Sequence, residues 1–184
     1  MNDVSSAPAQ RGQYTLRDAG VADAAQLAEF GARTFREAFA ADNTEDDMRA
    51  HLDASFSPAT QRREIEDPTI DSLILVDATG RWLGFAQLRT PSDAPGVPPA
   101  GSVELWRFYV DQPWHGKGVA AALMAGAKQR AAQRGGTSLW LGVWERNPRA
   151  QAFYGKHGFE KVGRKTFVVG SDPQTDDVML CRLP

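Results

Sequence analysis

The chain holds 184 residues, 42% of them apolar and 24% charged, with 21 Lys and Arg set against 23 Asp and Glu. That length and apolar content supply one sizeable core and one domain, and a net charge of −2 without blocks of like charge gives nucleic acid or anionic lipid no electrostatic footing. The lone Cys181 excludes an internal disulfide framework, and no apolar run approaches the ~20 residues that cross a bilayer.

Residues 1–12 are rich in Ser, Ala and Gln and lack both a basic start and a leader-length apolar stretch, so they read as a disordered tail on a cytoplasmic protein. Residues 13–184 then form the single domain. Alternation over 14–17 predicts a short strand, and Asp18 or Asp23 is placed to cap a helix running to about Phe39, with Leu27, Phe30, Thr34 and Ala38 on one face. Asn43-Thr44 caps a second helical piece over 45–52, and Pro58 opens a third over 59–66. Residues 73–76 and 82–89 read as strands joined by the turn Ala78-Thr79-Gly80.

The Pro- and Gly-rich stretch 90–101 is an exposed loop, followed by a strand over 103–110. A helix over 117–134 carries Val119, Leu123 and Ala127 on one face and ends at Gly135-Gly136, where a left-handed cap is wanted. The nearly continuous apolar run 138–144 predicts a strand covered on both sides. Asn147-Pro148 signals the start of a helix ending near Lys156 and Gly158, and strands over 160–169 and 177–183 close an α+β sheet.

Chemistry concentrates where the third main strand passes into its helix, at His115-Gly116-Lys117-Gly118-Val119-Ala120-Ala121. Glycines between a strand and a helix N-terminus expose several backbone N–H groups to one anion, and side chains at Gly116 and Gly118 would hold phosphates away. An ordinary strand-to-helix turn explains the same glycines. The spacing Gly116, Gly118, Ala121, with Glu145 after the next strand, also satisfies a dinucleotide fingerprint. Its context is wrong for that site, since Pro113 and Trp114 separate the strand from the first glycine and several strands precede it. A triphosphate loop is excluded because no G-x-x-x-x-G-K-[ST] occurs.

The strand Glu104-Leu-Trp-Arg-Phe-Tyr-Val110, the turn from His115 to Ala120 and the helix start Asn147-Pro-Arg-Ala-Gln-Ala-Phe-Tyr-Gly-Lys-His-Gly-Phe159 stand in order along the chain. Together they resemble the core motifs of the Gcn5-related N-acetyltransferases, the GNAT superfamily, over essentially the whole domain. The resemblance implies a mixed, mostly antiparallel sheet with splayed middle strands and flanking helices. It implies acetyl-CoA as co-substrate, the pantetheine arm pairing with backbone at Phe108, Tyr109 and Val110, and the pyrophosphate on the amides of Gly116, Lys117, Gly118, Val119, Ala120 and Ala121. His115 departs from the Gln or Arg usual in the family, which leaves open any side-chain contact there.

Direct acetylation needs a neutral amine, a polarised carbonyl and a proton for the departing thiolate. Tyr154 matches the family's general acid, and a phenol with the ordinary pKa near 10 is protonated at neutral pH; packing beside Phe153 is the competing explanation. Asn147 resembles a polar contact to the cofactor arm, although helix capping accounts for it as well. Glu104 occupies a position where several members carry a general base, and simple alternation sets it on the side of Trp106 and Phe108. The competing reading is a carboxylate paired with Arg107 or Arg89.

His51, His115 and His157 have no ligand-like spacing, so no metal is expected. Cys181 reads as a buried small hydrophobe. Phe35, Phe39 and Phe56 with Glu37, Asp42, Glu45, Asp46 and Asp47 suit a cationic acceptor, or else form an amphipathic helix with a solvated acidic face. The segments T-F-R-E-A-F, R-F-Y-V, W-H-G-K-G and L-G-V-W-E-R-N look like the bacterial subgroup that includes polyamine N-acetyltransferases. Peptide or protein N-termini, aminoglycosides and small amines stay open as acceptors. A non-catalytic acyl-CoA sensor and a nicotinamide-dependent oxidoreductase are the alternative classes, and a homodimer through the closing strands is compatible with the sequence.

Overall fold

The computed structural model describes residues 14–184; the expected tail over 1–12 lies outside them. Seven strands form one sheet in the order β1-β2-β3-β4-β5-β7-β6: β1 (Tyr14–Asp18), β2 (Ile70–Asp77), β3 (Trp82–Arg89), β4 (Ser102–Val110), β5 (Ser138–Trp144), β6 (Glu160–Val169) and β7 (Asp172–Arg182). Every neighbouring pair is antiparallel except β4 and β5, which α4 (Val119–Gln133) connects. The helices α1 (Ala24–Phe39), α2 (Glu45–Ser55) and α3 (Pro58–Glu66) precede β2, as the sequence predicts, and α5 (Pro148–Lys156) follows β5.

Two cores lie on opposite faces of the sheet. Leu83, Leu88, Val103, Leu123, Met124, Leu139 and Leu141 pack between the sheet and α4, whereas Leu27, Phe30, Phe35, Met48, Phe56, Ile74 and Phe85 pack beneath α1 to α3. Each fully buried large apolar side chain contributes roughly 1.5–3 kcal/mol, so these two layers carry most of the driving force for folding. β3 is buried almost throughout because it has a core on either side.

Local chemistry explains where elements begin and end. Thr44 Oγ1 accepts from the Asp47 amide and Ser57 Oγ accepts from the Thr60 amide, which caps α2 and α3. Asp23 does not cap α1 through its side chain; its carboxylate instead accepts from the Gly20 amide and pairs with Arg17 at 2.7 Å. Ala38 emerges at the rim of the central cleft, so the buried stripe of α1 is Leu27, Phe30, Gly31, Thr34 and Phe35. The fourth helix starts two residues later than the periodicity predicts, because Gly116 and Gly118 hold φ of 75° and 83° and cannot join it. β7 begins at Asp172 rather than 177, paired with β6 across a turn at Gly170-Ser171, where polar residues and Pro173 hide the strand period.

Candidate active site

β4 and β5 pair at only three positions, Ser102 with Ser138, Val103 with Leu139 and Glu104 with Trp140, and then separate. The break coincides with a bulge in β4. Gln87 faces Arg107 while its neighbour Leu88 faces Leu105, so Trp106 is the extra residue. A bulge bends its strand and increases the local twist, which swings the C-terminal half of β4 away from β5.

The bulge also changes which side chains share a face, so the expected grouping of Glu104, Trp106 and Phe108 is corrected. Glu104, Trp106, Arg107 and Tyr109 face the side of α1 to α3, where the Arg107 guanidinium lies over the Trp106 ring at 3.9 Å and Tyr109 stacks on Phe85 at 5.5 Å. Phe108 faces the other side and packs on Phe153 and Tyr154 at 5.8 and 6.3 Å between ring centroids. The splay opens a cleft of about 540 Å³ that communicates with both faces.

On the α4–α5 side the turn matches the sequence reading. Gly116 and Gly118 have open space where a Cβ would stand, and no side chain caps α4. The first intrahelical bond runs from the Ala122 amide to the Gly118 carbonyl, so the amides from Gly118 to Ala121 have no partner within the helix. Val119 sends its side chain into the core, Ala120 lines the cleft, Ala121 is exposed, and the Lys117 ammonium lies over Trp114 at 5.3 Å. His115 Nε2 sits 2.9 Å from the Val110 carbonyl; since a carbonyl only accepts, this bond fixes the proton on Nε2. The His115 side chain thus ties the turn back onto the end of β4.

Asn147 Oδ1 accepts from the Ala150 amide at 3.0 Å, the capping role foreseen for it, and Asn147 also lines the cleft. Tyr154 stands in the cleft wall among Phe108, Phe153 and Phe159. Burial, with Tyr109 adding to it, pushes the Tyr154 phenol well above its ordinary value, so it stays protonated and able to donate.

The opposite wall is aromatic and charged. Phe35, Phe39, Tyr109, Trp144 and Phe167 enclose it, with Phe39 edge-on to Trp144 at 6.3 Å. Glu104 is buried there and is engaged twice, by Arg89 Nε at 2.5 Å and by Lys165 Nζ at 3.3 Å. Arg107 instead donates to Glu64 at 2.5 Å and to Gln87 at 2.6 Å. Of the acidic residues expected to attract a cation, Glu37 and Glu45 pair with Arg33 and Arg36, Asp46 pairs with Arg49, and Asp47 binds Ser171. Among these only Glu37 lines the cleft.

Sequence reasoning missed Asp176 and Lys165, which β7 and β6 bring into the same wall. Asp176 is 6% exposed, and burial raises its carboxyl to about 6 despite the opposing influence of Lys165. The available signal was the pair Asp176-Asp177 at a strand edge, but with the strand begun at 177 the first of the two appeared to be loop.

Among the described residues no cluster of His, Cys, Asp and Glu could hold a metal, and no helix is long and apolar enough to cross a membrane. The sequence model of the acetyltransferase (GNAT) family matches residues 32–159. An uncharacterized N-acetyltransferase of Mycobacterium tuberculosis is 35% identical over 161 residues, covering 88% of this chain and 98% of its own. Another, from Lactobacillus delbrueckii subsp. lactis, is 30% identical over 145 residues, 78% of this chain and 82% of its own. In fold, the chain is similar to the PaiA N-acetyltransferase of Thermoplasma acidophilum, solved in complex with coenzyme A, at a TM-score of 0.74 and 19% identity over 92% of this chain and 98% of that one. A sheet opened between β4 and β5, a glycine turn at the head of α4 and relatives matched along nearly their full length converge on one assignment: the chain belongs to the GNAT family and is an N-acetyltransferase.

Proposed function

We propose that the protein transfers the acetyl group of acetyl-CoA to a primary amine by direct attack in a ternary complex. The observation that carries this reading is the opened strand pair with an uncapped helix N-terminus at its mouth. The residues fit the cofactor. Side chains are absent at Gly116 and Gly118, the amides from Gly118 to Ala121 lack helix partners, and Phe108, Val110 and Phe153 offer apolar surface for an uncharged arm. When bound, acetyl-CoA supplies the acyl carbon and the thiol leaving group.

The chain's own residues do the rest. The amides at the start of α4 bind phosphate oxygens, the β4 end offers backbone partners at Phe108 and Tyr109, and the apolar wall excludes water. Tyr154 holds a proton at its phenol oxygen for the departing sulfur. This acid in the wall favours an enzyme over a non-catalytic acyl-CoA sensor.

For the acceptor we propose one amine on an apolar or aromatic body. Several structures similar in fold, near 20% identity, are named spermidine N-acetyltransferases, which is what a polyamine reading draws on. A polyamine needs several unpaired carboxylates, whereas here Glu37 and Glu104 are ion-paired and Lys165 and Arg89 stand in the same wall. For assembly we propose pairing of two copies at the end of β6 around the exposed Val168, since the Pro95-Gly96 loop lies against Val162 and Gly163.

The test is calorimetric titration with acetyl-CoA, with NADH as control, followed by thiol release on phenethylamine, spermidine and an Ala-Phe dipeptide. Acetyl-CoA binding with turnover on an amine is expected. Preference for NADH would overturn the reading, and binding without turnover on any amine would favour a sensor.

A further inference from the structure

Asp176 differs from every other carboxylate of the cleft in its company. Glu104 is held by two cations and Glu37 by Arg33, but the Asp176 carboxylate makes no hydrogen bond or ion pair with any described side chain, although the residue is 94% removed from solvent. It faces the cleft among Tyr109, Trp144 and Phe167. A buried, unpartnered carboxylate is costly unless something arrives to pair with it, and an ammonium group entering an aromatic chamber is such a partner.

We propose that Asp176 receives the acceptor's ammonium group and takes its proton, and that Glu104 is a positioning residue holding Lys165 and Arg89. This rests on the acetyl-transfer reading above. In the step, one N–H bond of the ammonium breaks and an O–H bond forms on Asp176, directly or through one water. The electron pair stays on nitrogen, which is then neutral and nucleophilic, and Asp176 returns the proton to solvent after release.

The surroundings suit that task. Lys165 faces Asp176 across the β6–β7 pair and favours its charged form, but its ammonium is shared with Glu104, beyond which stands Arg89. Asp177, next in the chain and engaged by Lys161 and Arg164, disfavours the charge, and the Tyr109 phenol on β4 stays neutral. From α1, Glu37 is neutralised by Arg33. Burial outweighs these influences and leaves Asp176 ionised yet basic at neutral pH.

The experiment compares wild type, Asp176→Asn and Glu104→Gln on whichever of phenethylamine, spermidine and Ala-Phe the wild type acetylates fastest, recording kcat/KM against pH and acetyl-CoA affinity by calorimetry. For Asp176→Asn a loss of about 10²-fold at neutral pH is expected with cofactor affinity unchanged. Its acid limb near pH 6 should disappear, leaving a rate that climbs with pH toward the amine's own pKa. Retention of the wild-type rate and limb in Asp176→Asn, or transfer of that behaviour to Glu104→Gln, would overturn the assignment. If acetyl-CoA binds but the wild type acetylates none of the three amines, the acetyl-transfer reading fails and this inference fails with it.

Discussion

Gly142 on β5 makes room for Asp176 on β7: a Cβ at Gly142 would stand 2.8 Å from Asp176 Oδ2 and 2.7 Å from Lys165 Cε. Both contacts are too close, so an added methyl must push the carboxylate and the ammonium aside. Gly142→Ala is therefore expected to lower kcat/KM for the amine while costing only about 1 kcal/mol in stability, because the displaced atoms are side-chain ends. Urea denaturation alongside steady-state kinetics separates the two effects.

Asp176→Asn should stabilise the protein at neutral pH even as it loses activity. The native carboxyl titrates at about 6, above the ~3.9 of an unfolded Asp, so the native state binds more protons between those values and wild-type stability falls as pH rises through that window. Asparagine has no such penalty. The expected gain, discounted for water in the cleft, is on the order of 1–2 kcal/mol at pH 7 and vanishes below about pH 4. Denaturation midpoints measured across this range check the sign.

Glu104→Gln should behave in the opposite way. Removing the buried carboxylate leaves Arg89 and Lys165 without their shared partner. Both cations reach water in part, so the cost is about 2 kcal/mol rather than the full penalty of an orphaned interior charge. A variant that lost rate without losing stability would contradict this.

Tyr154→Phe is expected to reduce kcat by about 10²-fold while leaving acetyl-CoA affinity within calorimetric error, since the ring packing is retained. Because burial moves the phenol above its ordinary range, its ionisation should not produce a basic limb between neutral pH and about 10 in the wild-type profile.

At Gly118 the φ of 83° would cost an alanine about 1–2 kcal/mol in the folded protein, yet its Cβ would meet no protein atom. Any fall in acetyl-CoA affinity beyond that shift reports the methyl entering space used by the ligand. Titration of Gly118→Ala, compared with its denaturation, distinguishes the two.

The element order, the glycine turn and the capping by Asn147 were legible because each has a local signature: apolar period, positive-φ residue, cap followed by proline. The wall around Asp176 was not. Lys165, Gly142 and Asp176 come from three strands, and only sheet register brings them together. The faces of β4 were misassigned for a related reason. Alternation places Glu104 with Phe108, but the extra residue at Trp106 resets the parity, and the partner Leu88 that reveals it lies on another strand.

That one additional residue makes β4 a partition between two chambers. Upstream of it, odd-numbered positions such as Leu105 look toward α4; downstream, the odd-numbered Arg107 and Tyr109 look toward α1 and α3. Deleting Trp106 without changing any other residue would leave Leu105 toward α4 and Arg107 and Tyr109 toward α1 and α3, since plain alternation then gives the same faces, but it would remove the bend that carries β4 away from β5. The opening of the cleft is thus stored in one surplus residue, and a strand shortened there would keep its two walls while losing the gap between β4 and β5.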